Sequence, residues 1–127
     1  MKFRTPCTHA EFEISDEWWS FAEMESFRPV GGGFYPYSPV CANLVEVVSL
    51  SVVEPPKHDV GVPRFKKYKM VPVLLAFQSP ECALPPVEVV RLSESPRYQF
   101  RVRNGYHRFY ASVAVGYHSL PVVVRGS

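Results

Sequence analysis

The sequence predicts a small α+β domain, a mixed β-sheet flanked by short helices. Three observations predict it. Leu44–Val53 (LVEVVSLSVV) and Val87–Leu92 are dense in β-branched residues, and Tyr98–Arg103 alternates apolar with polar as a half-buried strand does. Tyr106, Phe109, Tyr110 and Val113 then recur at helical spacing. Thirteen prolines cut the chain into short pieces and exclude long uninterrupted helices. With 127 residues, 46% hydrophobic and 20% charged, the chain can bury one core but not two, and its composition is not that of a disordered protein.

In chain order, the first helix is expected over 16–27. Ser15 is its N-cap, and Asp16 and Glu17 lie in the first turn, where the helix dipole favours acids. Ile14 and Trp19 have the spacing of a hydrophobic staple, while Trp18, Phe21, Ala22 and Glu25 fall at helical intervals. Pro29 and Gly31–Gly33 end the element. Residues 28–40 form a Gly/Pro-rich loop, so 1–40 is expected as an accessory segment and 41–127 as the core of a single domain. Pro55–Pro56 stop the strand at 44–53. RFKKYK at 64–69 reads as a basic turn or short helix. Pro72 suits the first position of a helix over 73–78, which Pro80 closes. Pro85–Pro86 lead into the strand at 87–92. The strand at 98–103, the Asn104–Gly105 turn, a helix over 106–115, a glycine stop at Gly116 and a last strand at 120–124 complete the order.

The net charge of +2 is too small for a strong nucleic-acid field. Its distribution is uneven. Six of twelve acids (Glu11, Glu13, Asp16, Glu17, Glu23 and Glu25) lie early, whereas RFKKYK and Arg97, Arg101, Arg103 and Arg108 form later basic stretches. Cys7, Cys41 and Cys82 are odd in number and scattered, which supports neither a disulfide framework nor a zinc ribbon. Cys7 and His9 lack a second ligand pair, so no metal site is expected. No apolar segment has the form of a signal peptide or approaches the roughly 20 residues of a membrane span. A soluble, cytoplasmic protein without membrane partners is expected.

One local arrangement carries chemistry. The helix at 106–115 opens with His107 and Arg108, where its free N–H groups already carry partial positive charge and acids are the usual residents. Arg101 and Arg103 precede it, and Gly105 would let a ligand approach the backbone. Amides, a glycine and converging cations describe a phosphate site.

Those residues also resemble a family. RVRNGYHRFYASVAVGYHSLPVVV is similar to the signature of ParB/sulfiredoxin-like domains, in which a strand ends in Asp/Asn-Gly-x-His-Arg and a helix with Ala, a Gly and a short Leu-Pro-Val strand follow. Asn104, Gly105, His107, Arg108, Ala111, Gly116, Leu120, Pro121 and Val122 match it, and the likeness extends over about residues 41–124. The resemblance implies that Asn104, Gly105, Tyr106, His107 and Arg108 hold a nucleotide or other phosphorylated ligand, with ATP, ADP or CTP and Mg2+ as the implied cofactors. It implies nucleotide hydrolysis or phosphoryl transfer as the reaction class. Tyr106 stands where sulfiredoxins carry their cysteine, so sulfiredoxin chemistry is not expected. The helix-turn-helix that follows in chromosome-partitioning proteins of this kind is not expected here. His107, and Glu54 or Asp59 in the region where family kinases keep a base, are the catalytic candidates. Arg64, Lys66 and Arg103 are auxiliary cations.

Two other readings stand beside this one. RFKKYK, with Arg97, Arg101 and Arg103, could serve a DNA- or RNA-binding or nuclease module, although a solvated turn with Phe65 and Tyr68 facing the core is the simpler expectation. The Trp18–Trp19 helix, if it does not dock on the core, would serve a protein-interaction domain or a homo-oligomer.

Overall fold

Five strands form a mixed sheet in the order β3-β7-β5-β6-β4, using the central and C-terminal strands β3 (Val45–Ser49), β4 (Val53–Glu54), β5 (Val87–Arg91), β6 (Phe100–Asn104) and β7 (Ser119–Val124). In the computed structural model, residues 1–6, 11–29, 33–37, 44–56, 65–79, 84–93 and 97–125 are described. A separate antiparallel pair, β1 (Lys2–Arg4) and β2 (Glu11–Glu13), and three helices, α1 (Asp16–Phe21), α2 (Lys67–Gln78) and α3 (Tyr106–Val115), complete the α+β fold. β7 is antiparallel to β3 and parallel to β5, while β6 is antiparallel to β5 and parallel to β4.

The single strand expected over 44–53 is two strands on opposite edges of the sheet. A 3₁₀ turn at Leu50–Val52 divides them, and the Ser49 hydroxyl accepts the Ser51 N–H at 3.2 Å. Three residues reach about 10 Å at most, so the two edges must approach each other and the sheet must curl. The turn is tied to both sides: Leu50 N–H donates to His118 O just before β7, and Gln99 N–H, just before β6, donates to Val52 O. Leu50 and Val53 are buried under this closure.

Two helices depart from expectation. α1 stops at Phe21 because Glu23 takes a left-handed conformation, φ 58°, which breaks the helical path before a 3₁₀ turn at Met24–Ser26. α2 begins at Lys67, so Pro72 lies inside it rather than at its start. Its buried stripe of Met70, Val73, Leu74 and Phe77 outweighs the lost hydrogen bond. α3 matches its expected span, and Gly116 ends it at φ 95°, a conformation that a side chain would strain.

The N-terminal segment shares the one core. Phe12, Ile14, Trp19, Ala22, Met24 and Tyr35 are buried together with sheet and helix residues. The Phe12 ring meets Tyr110 at 4.9 Å and Phe65 at 5.9 Å. Trp19 is therefore docked inside the chain and Trp18 is half-buried; the exposed ring on α1 is Phe21. Among the described residues, no helix is long and apolar enough to cross a membrane.

Candidate functional site

The strand–turn–helix of the motif forms as the sequence predicts, but its side chains largely serve the fold. Gly105, φ 130°, caps α3, and its carbonyl accepts the Phe109 N–H at 2.9 Å. A Cβ at this position would lie 2.8 and 2.9 Å from the two Val87 methyl groups. The close approach that requires glycine is thus to β5, where the sequence suggested a ligand. Asn104 donates to Glu88 at 3.0 Å, and Arg125 donates to the same carboxylate at 2.8 Å. The Asn104 bond first, then the Arg125 bond, hold the Glu88 carboxyl below the usual carboxylate range. Arg108 Nη1 donates to the carbonyls of Pro85 and Pro86 at 2.7 and 2.8 Å, pinning the entrance of β5 to the first turn of α3. The Tyr106 ring packs against Tyr110, His107 and Phe65 at 5.1–5.7 Å.

His107 joins two helices. The backbone N–H of Lys66, the N-cap of α2, donates to His107 Nε2 at 3.1 Å. Nε2 is therefore the acceptor, and the ring proton sits on Nδ1. Burial first, then the charges of Lys69 and Lys66, push the His107 pKa down to about 4. The imidazole is neutral at pH 7, and its one lone pair is already occupied. That leaves Nδ1–H as its free hydrogen-bond donor, with Nε2 engaged by the backbone.

The same contact brings the N-termini of α2 and α3 together, and neither helix has an acid in its first turn. Two partial positive charges therefore stand side by side without the carboxylates that usually offset them. Lys66, Lys67, Tyr68 and Lys69 are all exposed here, and Arg103 is exposed on β6. Among the described residues, no carboxylate forms an ion pair with Lys66, Lys67, Lys69, Arg103 or Arg108. Phe65 is buried as expected, but Tyr68 points outward at 69% exposure, on the α2 face it shares with Pro72 and Leu75. The Lys66 and Lys69 ammonium groups lie 5.9 and 6.0 Å from its ring centroid. Lys67 lies 5.5 Å from the ring of Phe21, itself 63% exposed.

The other candidates are not gathered at this point. Glu54 is bound to Arg101 at 2.7 Å, its register partner across β4 and β6. Asp59 and Arg64 lie outside the described residues, as do Cys7, His9, Cys41 and Cys82. No group of three or more His, Cys, Asp or Glu able to hold a metal ion occurs among the described residues. Sequence reasoning missed Phe21 as a partner of the basic segment, and it missed the proline carbonyls that engage Arg108. Neither left a local signal, because each contact joins residues more than 20 positions apart. No protein-family model, curated protein or solved structure matches this chain.

Proposed function

We propose that the protein binds a phosphate-bearing ligand, a nucleotide in the simplest case, where the N-termini of α2 and α3 meet. The observation that carries this reading is the Lys66 N–H to His107 Nε2 bond, which sets two acid-free helix starts together beside Lys66 and Lys69, neither in an ion pair among the described residues. Phosphate is the anion such a place suits, because backbone amides and ammonium groups both complement its charge. Lys66 and Lys69 supply the mobile charges. Arg108 supplies a fixed one: its Nη1 is held by the Pro85 and Pro86 carbonyls while the guanidinium charge stays unneutralised among the described residues. Gly105 and Asn104 set the turn instead of touching the ligand.

The likeness to ParB/sulfiredoxin-like domains supports this reading, since the motif falls on β6, the Asn104–Gly105 turn, α3, Gly116 and β7 in the family's order. Binding is favoured over turnover. The only imidazole in the turn has its lone pair occupied, and Glu54 is neutralised by Arg101. Magnesium, if used, would arrive with the phosphates.

Calorimetric titration of ATP, ADP and CTP with Mg2+ tests the proposal. A Lys66→Ala/Lys69→Ala double variant is expected to weaken binding by roughly tenfold or more, each lost charge-assisted contact being worth about 1 kcal/mol or more. Failure of all three nucleotides to bind, or indifference to the double substitution, overturns it.

A further inference from the structure

We infer that the phosphate-bearing ligand is single-stranded nucleic acid, its bases stacking on Tyr68 and Phe21 and its backbone phosphates meeting Lys66, Lys67 and Lys69. The inference rests on the phosphate reading above and specifies its ligand class. The carrying observation is a surface on which two large rings stay exposed, Tyr68 at 69% and Phe21 at 63%, each with a lysine ammonium 5.5–6.0 Å from its centroid. A ring exposed to this degree gains little from the fold. It offers a flat apolar face that any base can stack on, and the flanking ammonium groups offer the charge that a phosphodiester chain carries alongside its bases.

The layout favours a strand over a free nucleotide. The rings belong to different helices, α1 and α2, and each has its own ammonium partners, Lys66 and Lys69 at Tyr68 and Lys67 at Phe21. One nucleotide has one base, whereas two platforms suit successive bases. A duplex keeps its bases stacked on each other and cannot present them to Tyr68 or Phe21. Among the described residues, no acid forms an ion pair with the three lysines: Asp16 contacts the Met1 ammonium and Glu11 pairs with Arg4 at 3.6 Å, while Glu17, Glu23 and Glu25 stay exposed on the segment that carries Phe21.

Fluorescence anisotropy with a labelled oligothymidylate of roughly 12 nucleotides, a length that spans typical single-strand site sizes, tests this. Inorganic triphosphate serves as a probe that has phosphates but no base. The oligonucleotide is expected to bind more tightly than triphosphate. Tyr68→Ala is expected to weaken the oligonucleotide by about five- to a hundredfold while leaving triphosphate unchanged, and Tyr68→Phe is expected to retain it. Three phosphate contacts predict a slope of log K against log salt of about −2. Triphosphate binding without tighter oligonucleotide binding overturns the single-strand inference and leaves the phosphate site standing. Equal affinity for a duplex of the same length, or insensitivity to Tyr68→Ala, overturns it too. Failure of both probes overturns the inference and the phosphate reading together.

Discussion

Gly105 and His107 are the residues on which the turn depends, and both are set by neighbours distant in sequence. Gly105→Ala combines a strained φ of 130° with a Cβ against the Val87 methyl groups. Strain and overpacking each cost about 1–3 kcal/mol, so urea denaturation is expected to show a loss of about 2 kcal/mol or more. Adding Val87→Ala should recover the clash but not the strain, which a double-mutant cycle reads as a coupling between the two positions. His107 makes stability depend on pH. Its pKa falls from 6.5 to about 4 on folding, so the unfolded chain takes up a proton more readily in between. Its contribution is complete above pH 6.5 and is lost as pH falls toward 4. Urea midpoints across this window are expected to decline, and the decline should flatten in His107→Gln, whose amide oxygen can still accept the Lys66 N–H without titrating. At this scale the sequence displayed Asn104, Gly105, His107 and Arg108 as a group. It hid their duties, because the partners of Arg108, Pro85 and Pro86, lie more than 20 residues upstream, and Lys66 lies 41 residues from His107.

Among the elements, α3 and β7 follow local pattern closely, and α2 does not. Its helical path continues through Pro72 because Met70, Val71, Val73, Leu74 and Phe77 are buried on both sides of the proline. The exposed Pro72 ring still denies α2 one backbone hydrogen bond. An internal proline costs about 3 kcal/mol in an unadapted helix. Pro72→Ala is therefore expected to raise the thermal midpoint, with a gain of about 1–3 kcal/mol by denaturant titration. Residues 44–53 show the opposite limit of sequence reading. Their β-branched run correctly signals extended backbone, yet the turn at Leu50–Val52 sends its two halves to opposite sheet edges. Strand propensity reports that a residue fits a pleated surface, not which neighbour it pairs with.

The whole molecule has one core that draws on segments from both ends of the chain. Trp19 and Phe12 near the N-terminus are buried with Phe109 and Leu120 near the C-terminus. Trp19→Ala is expected to cost about 3–5 kcal/mol, since it empties a large buried volume. Because the core is shared, tryptophan fluorescence, which reports α1, and far-ultraviolet circular dichroism, which reports all helices and strands, should give coincident denaturation curves. Separate transitions would mean that the N-terminal segment folds independently of the sheet.

Local pattern was enough for the α+β class, the strand–turn–helix at 100–115 and the glycine stop at Gly116, because alternation, helical spacing and glycine conformation act within a few residues. Tertiary structure alone decided that the sheet curls, that Gly105 yields space to Val87, and that the imidazole of His107 is a cap with no lone pair to lend. It also decided that Tyr68 faces solvent beside Lys66 and Lys69 and that Lys67 lies beside the exposed Phe21 ring. These outcomes depend on which distant surfaces compete for burial and for each donor and acceptor, and that competition is resolved only when the core closes.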